Sequence, residues 1–394
     1  MFLMKLFGST CFLLLLFSCG TSATRTKDRI YDQIYGTASC FRRMNGTHQF
    51  GCTSKRSGNV GILELVETDL DLQWLIDQSP LPPYMVVLHM DMFTKPVLIA
   101  LQNSKKVDGI VLMKNFNTSQ NVAHFTHEDT CPNRYSGLSN FEKQECSMLS
   151  PWNRDGTSLL MHDWDFPIFY INNQTSIDKI IKCHKQYNSI KEGQEYRSLC
   201  AMELSSYMYA AKDSETCIRR SNMYTNLHPV KHCDALGDRN IWMTLFPLDK
   251  EQPEPERSVI VLSARMDSAS LFDGETPGAG SAVAGLVTAI ATFQALASVK
   301  DEMKPLAGNR NVLLTLLNGE AYDYIGSSRE FIKHMTDRAE EVKINMFTSQ
   351  VKHLPPASLQ TFVKADSKLP GVVVTDHDDH FVNRKVPFNS ILLA

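Results

Sequence analysis

The chain has 394 residues, 43% of them apolar, with 40 basic against 43 acidic side chains and a formal charge of −3. That length can bury more than one core, about two or three domains at roughly 150 residues each, and two lobes are expected. The near balance of charge, with no basic block long enough to follow a phosphate backbone, excludes a nucleic-acid-binding class.

In chain order, Met1 to Gly20 has the outline of a secretory signal, with Lys5 near the start, an almost wholly apolar run from Cys11 to Phe17, and small residues around Ser18 to Ala23. The run is well short of the ~20 residues that span a bilayer, although a short anchor or a lipoprotein-type cleavage at Cys19 is the alternative. The expected divisions are a signal peptide over 1–23, an N-terminal small lobe over 24–250 and a partial large lobe over 251–394. If Cys11 and Cys19 leave with the signal, Cys40, Cys52, Cys131, Cys146, Cys183, Cys200, Cys217 and Cys233 remain. Their arrangement in close successive couples predicts neighbour disulfides: 40 with 52, 131 with 146, 183 with 200, 217 with 233. None of the couples has the tight spacing of a zinc or redox pair. Asn45, Asn117 and Asn173 each open a glycosylation triplet, which together with a signal and paired cysteines points to the eukaryotic secretory pathway.

Short apolar runs at Tyr84–Met90, Gly109–Met113 and Phe166–Ile171 predict buried strands, and Glu67–Asp77 suits a short helix between strands. This half is expected to be an α/β or α+β lobe stapled by disulfides. Glu251-Gln252-Pro253-Glu254-Pro255-Glu256 breaks helices and marks a boundary. Beyond it, strands at Ser258–Ala264, Val312–Leu317 and Gly371–Thr375 alternate with helices at Ser281–Val299 and Ser327–Met335. Such alternation predicts an α/β fold with a mostly parallel sheet covered on both faces and ligand sites at the carboxyl ends of its strands.

The chemistry-bearing residues fall at those ends. Gly319-Glu320-Ala321-Tyr322-Asp323-Tyr324-Ile325-Gly326-Ser327 resembles the active-site turn of a co-catalytic zinc aminopeptidase, in which two adjacent acids follow a buried strand. Here the general-base position is Glu320 and the metal-ligand position is Ala321, whose methyl group cannot bind zinc. Arg265-Met266-Asp267-Ser268 stands where those enzymes have His-x-Asp-Ser. Arginine has no lone pair for a metal, while Asp267 survives, either as a site acid paired with Arg265 or as a turn cap. In Pro277-Gly278-Ala279-Gly280-Ser281 the two acids of the enzymes' stretch fall on Gly280 and Ser281. What persists is a glycine turn that brings a helix amino terminus to the site. Asp376-His377-Asp378-Asp379-His380 resembles the segment carrying the last His ligand, and His377 matches it; an independent metal site is the competing reading and a charged loop the favoured one. With no metal expected, Glu320 has no water to activate and could instead accept the ammonium of a peptide's free amino terminus, with Tyr324 as a wall. Asp323, Ile325, Gly326 and Ser327 complete that predicted substrate-binding turn, with Arg265 and Asp267 facing it.

Taken with Asp69-Leu70-Asp71-Leu72-Gln73-Trp74, Pro82-Pro83-Tyr84-Met85-Val86, Cys200-Ala201-Met202 and Leu354-Pro355-Pro356-Ala357-Ser358-Leu359-Gln360, these motifs resemble the nicastrin family over essentially the whole mature chain. The resemblance implies an aminopeptidase-like three-layer lobe beside a smaller disulfide-stapled N-terminal α/β lobe, and no cofactor. It implies a non-catalytic subunit of γ-secretase, partnered by presenilin, Aph-1 and Pen-2 type subunits, that receives or gates type I membrane-protein stubs such as Notch and amyloid precursor remnants. The family is single-pass in endoplasmic reticulum, Golgi and plasma membrane. This chain departs from it by ending at Ala394 without a span and by lacking a stretch near Met346–Phe347, so a soluble short form outside the complex is the runner-up. A working zinc aminopeptidase is the third reading.

Overall fold

The apolar runs at Tyr84 and Gly109 become the interior of a parallel sheet, the position that requires burial on both faces. A computed structural model describes residues 30–44, 49–114, 129–131, 156–206, 213–221, 234–248, 258–272, 275, 279–308, 310–327 and 357–365. The chain divides into Met1–Gly36 and Thr37–Ala394. Of the first unit, residues 31–36 have no regular secondary structure, and Tyr31 and Tyr35 are exposed. The expected signal lies outside the described residues.

In the second unit the strands of the N-terminal half are β1 (Thr37–Ser39), β2 (Arg42–Met44), β3 (Gln49–Cys52), β4 (Asn59–Val66), β5 (Tyr84–His89), β6 (Val107–Met113), β7 (Asp163–Trp164), β8 (Ile168–Ile171) and β9 (Ala201–Leu204). A six-stranded sheet has the order β1-β8-β6-β5-β4-β9. Its four inner strands run parallel and its two edge strands antiparallel. Tyr84 to Leu88 are all buried, which is why this run is unbroken rather than alternating. The helix predicted over Glu67–Asp77 forms as α1 (Asp69–Gln73), continued by a π-helical turn over Trp74–Gln78. Thr68 caps it: its Oγ1 accepts from Asp71 N while the Asp71 carboxylate accepts from Thr68 N. The chain then adds α2 (Lys95–Ser104) and α3 (Gln174–Cys183), neither predicted, the latter capped by Asn173 Oδ1 accepting from Ser176 N at 3.0 Å.

The C-terminal half supplies α4 (Ser214–Ser221), β10 (Asp234–Ala235), β11 (Ile241–Thr244), β12 (Ser258–Arg265), α5 (Ala284–Ser298), α6 (Lys300–Ala307), β13 (Arg310–Leu317) and α7 (Leu359–Ala365). A four-stranded sheet has the order β10-β2-β3-β7, and a three-stranded one β11-β13-β12 with β12 and β13 parallel. Helix α5 covers the latter, setting Ala289 and Phe293 against Val312, Leu314 and Leu316. Burying a side chain such as Phe293 contributes about 1.5–3 kcal/mol. The helix expected from Ser281 begins as a π-helical turn over Ala279–Val283. The expected strand Gly371–Thr375, the body of the helix predicted over Ser327–Met335 and the boundary at 251–256 lie outside the described residues.

The main core joins sequence-distant pieces. Phe41 and Phe50 share it with the inner strands β5 and β6, with Leu271 and Phe272 just beyond β12, and with Ala321 beyond β13. Disulfides link Cys40 to Cys52 and Cys183 to Cys200, as their spacing predicts. Cys131 and Cys217 are also disulfide-bonded; Cys146 and Cys233 lie outside the described residues. Among the described residues, no helix is long and apolar enough to cross a membrane.

Candidate functional site

Parallel register puts the two candidate segments side by side. Arg265, the last residue of β12, pairs with Leu317, the last of β13, so both strands end at one level. Met266 N donates to Leu317 O at 2.7 Å, and two residues further each chain turns. Asp267 there meets the turn after β13: its Oδ1 accepts from Glu320 N and its Oδ2 from Ala321 N, both at 3.0 Å. A carboxylate holding two amides with its two oxygens is a strong, geometrically specific clamp. Among the described residues, no ion pair joins Arg265 to Asp267 or to Glu320.

Glu320 points inward, with 1% exposure. Its Oε1 accepts from Ser327 N at 2.6 Å and its Oε2 from Ser327 Oγ at 2.9 Å, and Ser358 at the entry to α7 adds a further hydrogen bond. Burial pushes the Glu320 carboxyl up to about 7, helped by the charge of Asp267 and opposed by the bonds from Ser358 and Ser327. A carboxyl raised in the folded state favours folding when protonated. That contribution is complete below about pH 4.5 and is lost as pH rises through about 7. Glu320→Gln, which keeps an acceptor for Ser327 N, is therefore expected to gain on the parent by on the order of 3 kcal/mol between about pH 5 and about pH 8. Urea denaturation of both proteins across that window checks it, and parallel curves would refute the buried, ionisable role.

The turn itself is unusual backbone. Gly319 has φ +87°, and Asp323 and Tyr324, neither of them glycine, have φ +63° and +57°. Left-handed conformation costs an L-residue about 1–2 kcal/mol. It is held here by the hydrogen bonds Tyr322 N to Gly319 O, Tyr324 N to Glu320 O and Ile325 N to Gly319 O, at 3.1–3.2 Å. Asp323 and Tyr324 are buried, and Ile325 is half-buried. Tyr322 lies with its ring centroid 6.1 Å from both Phe41, edge-on, and Phe50, nearly parallel. On the other side, Asn240 Nδ2 donates to Gly326 O at 2.7 Å, and its Oδ1 accepts from Asn318 N at 2.9 Å. Asn318 Nδ2 in turn donates to Asp238 Oδ2 at 2.8 Å.

All eight residues expected at the site, Arg265, Asp267, Glu320, Asp323, Tyr324, Ile325, Gly326 and Ser327, are thus found at the joined ends of β12 and β13. Gly280 is exposed on the π-helical turn before α5, while Pro277, Gly278 and the 376–380 segment lie outside the described residues. Asn240 and Ser358 escaped sequence reasoning. Asn240 sits in a polar loop with no local signal, and Ser358 belongs to a motif noticed only for its family resemblance.

The residues do not fit a pair of zinc ions. Asp267 has both oxygens on amides, the Ala321 methyl is packed in the main core, and Arg265 lacks a lone pair. What the arrangement can do is hold a rigid, strained turn at the end of a sheet.

The family model described as nicastrin small lobe matches residues 39–210, and that described as nicastrin large lobe matches 258–343 and 333–392. Nicastrin of Mus musculus is 32% identical over 449 aligned positions, covering 96% of this chain and 62% of the relative. Nicastrin of Homo sapiens is 31% identical over 440, covering 95% and 61%. Both alignments are longer than the 394-residue chain, so each relative carries residues without a counterpart here. A crystal structure of nicastrin, described as a γ-secretase component, superposes with a TM-score of 0.57 at 23% identity, over 90% of this chain and 69% of that one.

Proposed function

We propose, from the premise that the chain belongs to the nicastrin family, that it acts as a non-catalytic subunit of γ-secretase, receiving or gating type I membrane-protein stubs for cleavage by a presenilin-type partner. Aph-1 and Pen-2 type subunits complete the proposed complex, and Notch and amyloid precursor remnants represent the substrate class. The chain spans 62% of the length of the Mus musculus relative and 61% of that of the Homo sapiens one.

One observation carries the non-catalytic reading: where a zinc peptidase needs a second acid, the Ala321 methyl group is buried in the main hydrophobic core. The closed bonding of Glu320 by Ser327 bears on how substrates would meet the turn. An ammonium ion reaching that carboxylate must compete with its hydrogen bonds from Ser327 and Ser358 and enter a site with 1% exposure. The geometry therefore favours steric gating by the whole turn over direct capture of the amine by Glu320.

Co-expression of the tagged chain with presenilin, Aph-1 and Pen-2 type subunits tests the assignment. Co-purification of all four is expected, and failure would favour a soluble form outside the complex. Capture of a stub with a free amino terminus should then be the same for the parent and Glu320→Gln; weakened capture would restore direct amine recognition. Asn173, exposed at the start of α3, is proposed to carry a glycan, while Asn45 and Asn117 lie outside the described residues.

A further inference from the structure

Helix α5 carries no charged side chain from Ala284 to Ser298. A helix that is apolar on every side belongs in an interior. Its sheet-facing stripe, Leu286, Ala289 and Phe293, packs with Leu262 and Ala264 of β12 and with Val312, Leu314 and Leu316 of β13. One position further along the chain, Val287 and Ile290 make a second apolar stripe, extended back by Val283 on the π-helical turn, and all three are exposed. The stripe one position earlier consists of Gly285, Thr288 and Thr292. One flank of the helix is therefore apolar and the other carries hydroxyls.

Topology decides which way each flank looks. Strands β12 and β13 are parallel neighbours joined through α5 and α6, and such a crossover is right-handed. Seen from the helix side with these strands pointing up, β13 lies to the right of β12, and β11 to the right of β13. Helix α5 runs down in this view, each residue turned about 100° clockwise from the one before along its course. The Val287 and Ile290 flank then overhangs β13 and β11, while Thr288 and Thr292 look the other way. Beneath the overhang, Ile241 and Met243 of β11 stand opposite Leu316 and Leu314, on the same face of the sheet as α5. Ile241, Met243, Val283, Val287 and Ile290 are all between 44% and 58% exposed. With strands about 4.8 Å apart, β11 lies about 7 Å to the side of the β12–β13 midline that α5 covers. Packed helices stand about 8–10 Å apart, so a helix laid along the flank of α5 would rest on β11. Wall and floor make a groove one helix wide, and neither carries a charge.

The exposed parts of these five side chains amount to on the order of 300 Å², well short of the ~800 Å² that each copy of a stable dimer buries. The groove is thus too small to hold a second copy of this chain by itself, and it suits one contact within an assembly that is also held elsewhere. We propose that it receives an amphipathic helix of another subunit of the complex, with apolar residues at i, i+3 or i+4, and i+7 towards the groove and charges towards solvent. That the helix comes from a subunit rests on the complex-forming reading above; the shape and chemistry of the groove do not.

Photo-crosslinking in the intact complex tests the groove. The full chain carrying Val287→benzoylphenylalanine or Met243→benzoylphenylalanine, co-expressed with presenilin, Aph-1 and Pen-2 type subunits, is expected to form an adduct with a helix of one of those three, located by mass spectrometry. Thr292→benzoylphenylalanine, exposed on the opposite flank of α5, should form none. Subunits that co-purify without an adduct at Val287 and Met243 would overturn the groove and leave the complex standing. Adducts within the chain itself or with a second copy of it would also overturn the groove, as would equal labelling from Thr292. If the subunits do not co-purify, the complex-forming reading falls and takes the partner helix with it. Should either groove variant fail to fold, Val287→Cys coupled to a maleimide–benzophenone reagent gives the same readings.

Discussion

Gly326→Ala is expected to be among the most damaging single substitutions in the turn. A Cβ built at this position would sit 2.2 Å from Asn318 O and 2.9 Å from Glu320 Oε1. The first neighbour is backbone and cannot swing aside. The second is a carboxylate already bound at both oxygens to Ser327. Relief must come from moving the 318–327 chain, which also breaks the bonds from Asn240 to Gly326 O and to Asn318 N. Overpacking of this kind costs about 1–3 kcal/mol, and loss of buried hydrogen bonds adds to it. A total on the order of 4 kcal/mol would lower the melting temperature by about 5 °C for a unit of this size. A variant that melts within a degree of the parent would show that the turn is not packed as described. Gly319 tolerates the space better, since its nearest neighbour would be Ile325 Cβ at 3.4 Å, but its φ of +87° still favours glycine.

Ala321→Asp, which restores an acid at the position a zinc site would use, should destabilise the chain without gaining a metal. The new carboxyl would replace a methyl that is 2% exposed and packed with the aromatic core. It would also stand beside Asp267 and Glu320, whose like charges disfavour its ionisation. Burying a polar group without partners costs about 2–7 kcal/mol, so a loss on the order of 3–4 kcal/mol is expected by thermal or urea denaturation. Zinc titration by calorimetry should show no stoichiometric binding, because Asp267 remains committed to two amides and Arg265 still offers no lone pair. A variant as stable as the parent that takes up zinc would mean the cradle is open, and the non-catalytic reading would fall with it.

Local signals were enough for the strands at Tyr84, Gly109, Phe166, Ser258 and Val312, but not for β1 to β4, β7 or β9 to β11, which the sequence reading did not name. Uninterrupted apolar runs at Tyr84 and Gly109 can hardly be anything but buried strands, and the close cysteine couples found their partners where both halves are described. Chemistry at single positions was equally legible, since an alanine and an arginine cannot hold zinc wherever they are placed. Helices α2 and α3 were missed because their apolar positions are shared between core and solvent, and their caps, Thr94 and Asn173, are isolated polar residues without a distinctive spacing.

The direction each acid faces is another matter. Glu320 reads in one dimension as a loop carboxylate ready for a ligand, and only packing turns it inward onto Ser327, with Ser358 arriving from α7. Asp267 becomes a clamp for the next strand's turn because β12 and β13 end at the same level, a matter of register between segments about fifty residues apart. The bonds of Asn240 and the groove between α5 and β11 arise in the same way, from the meeting of parts far apart along the chain. Residue type settles what an atom can donate or accept; the folded chain alone settles which atom it meets, because burial and register depend on every segment at once.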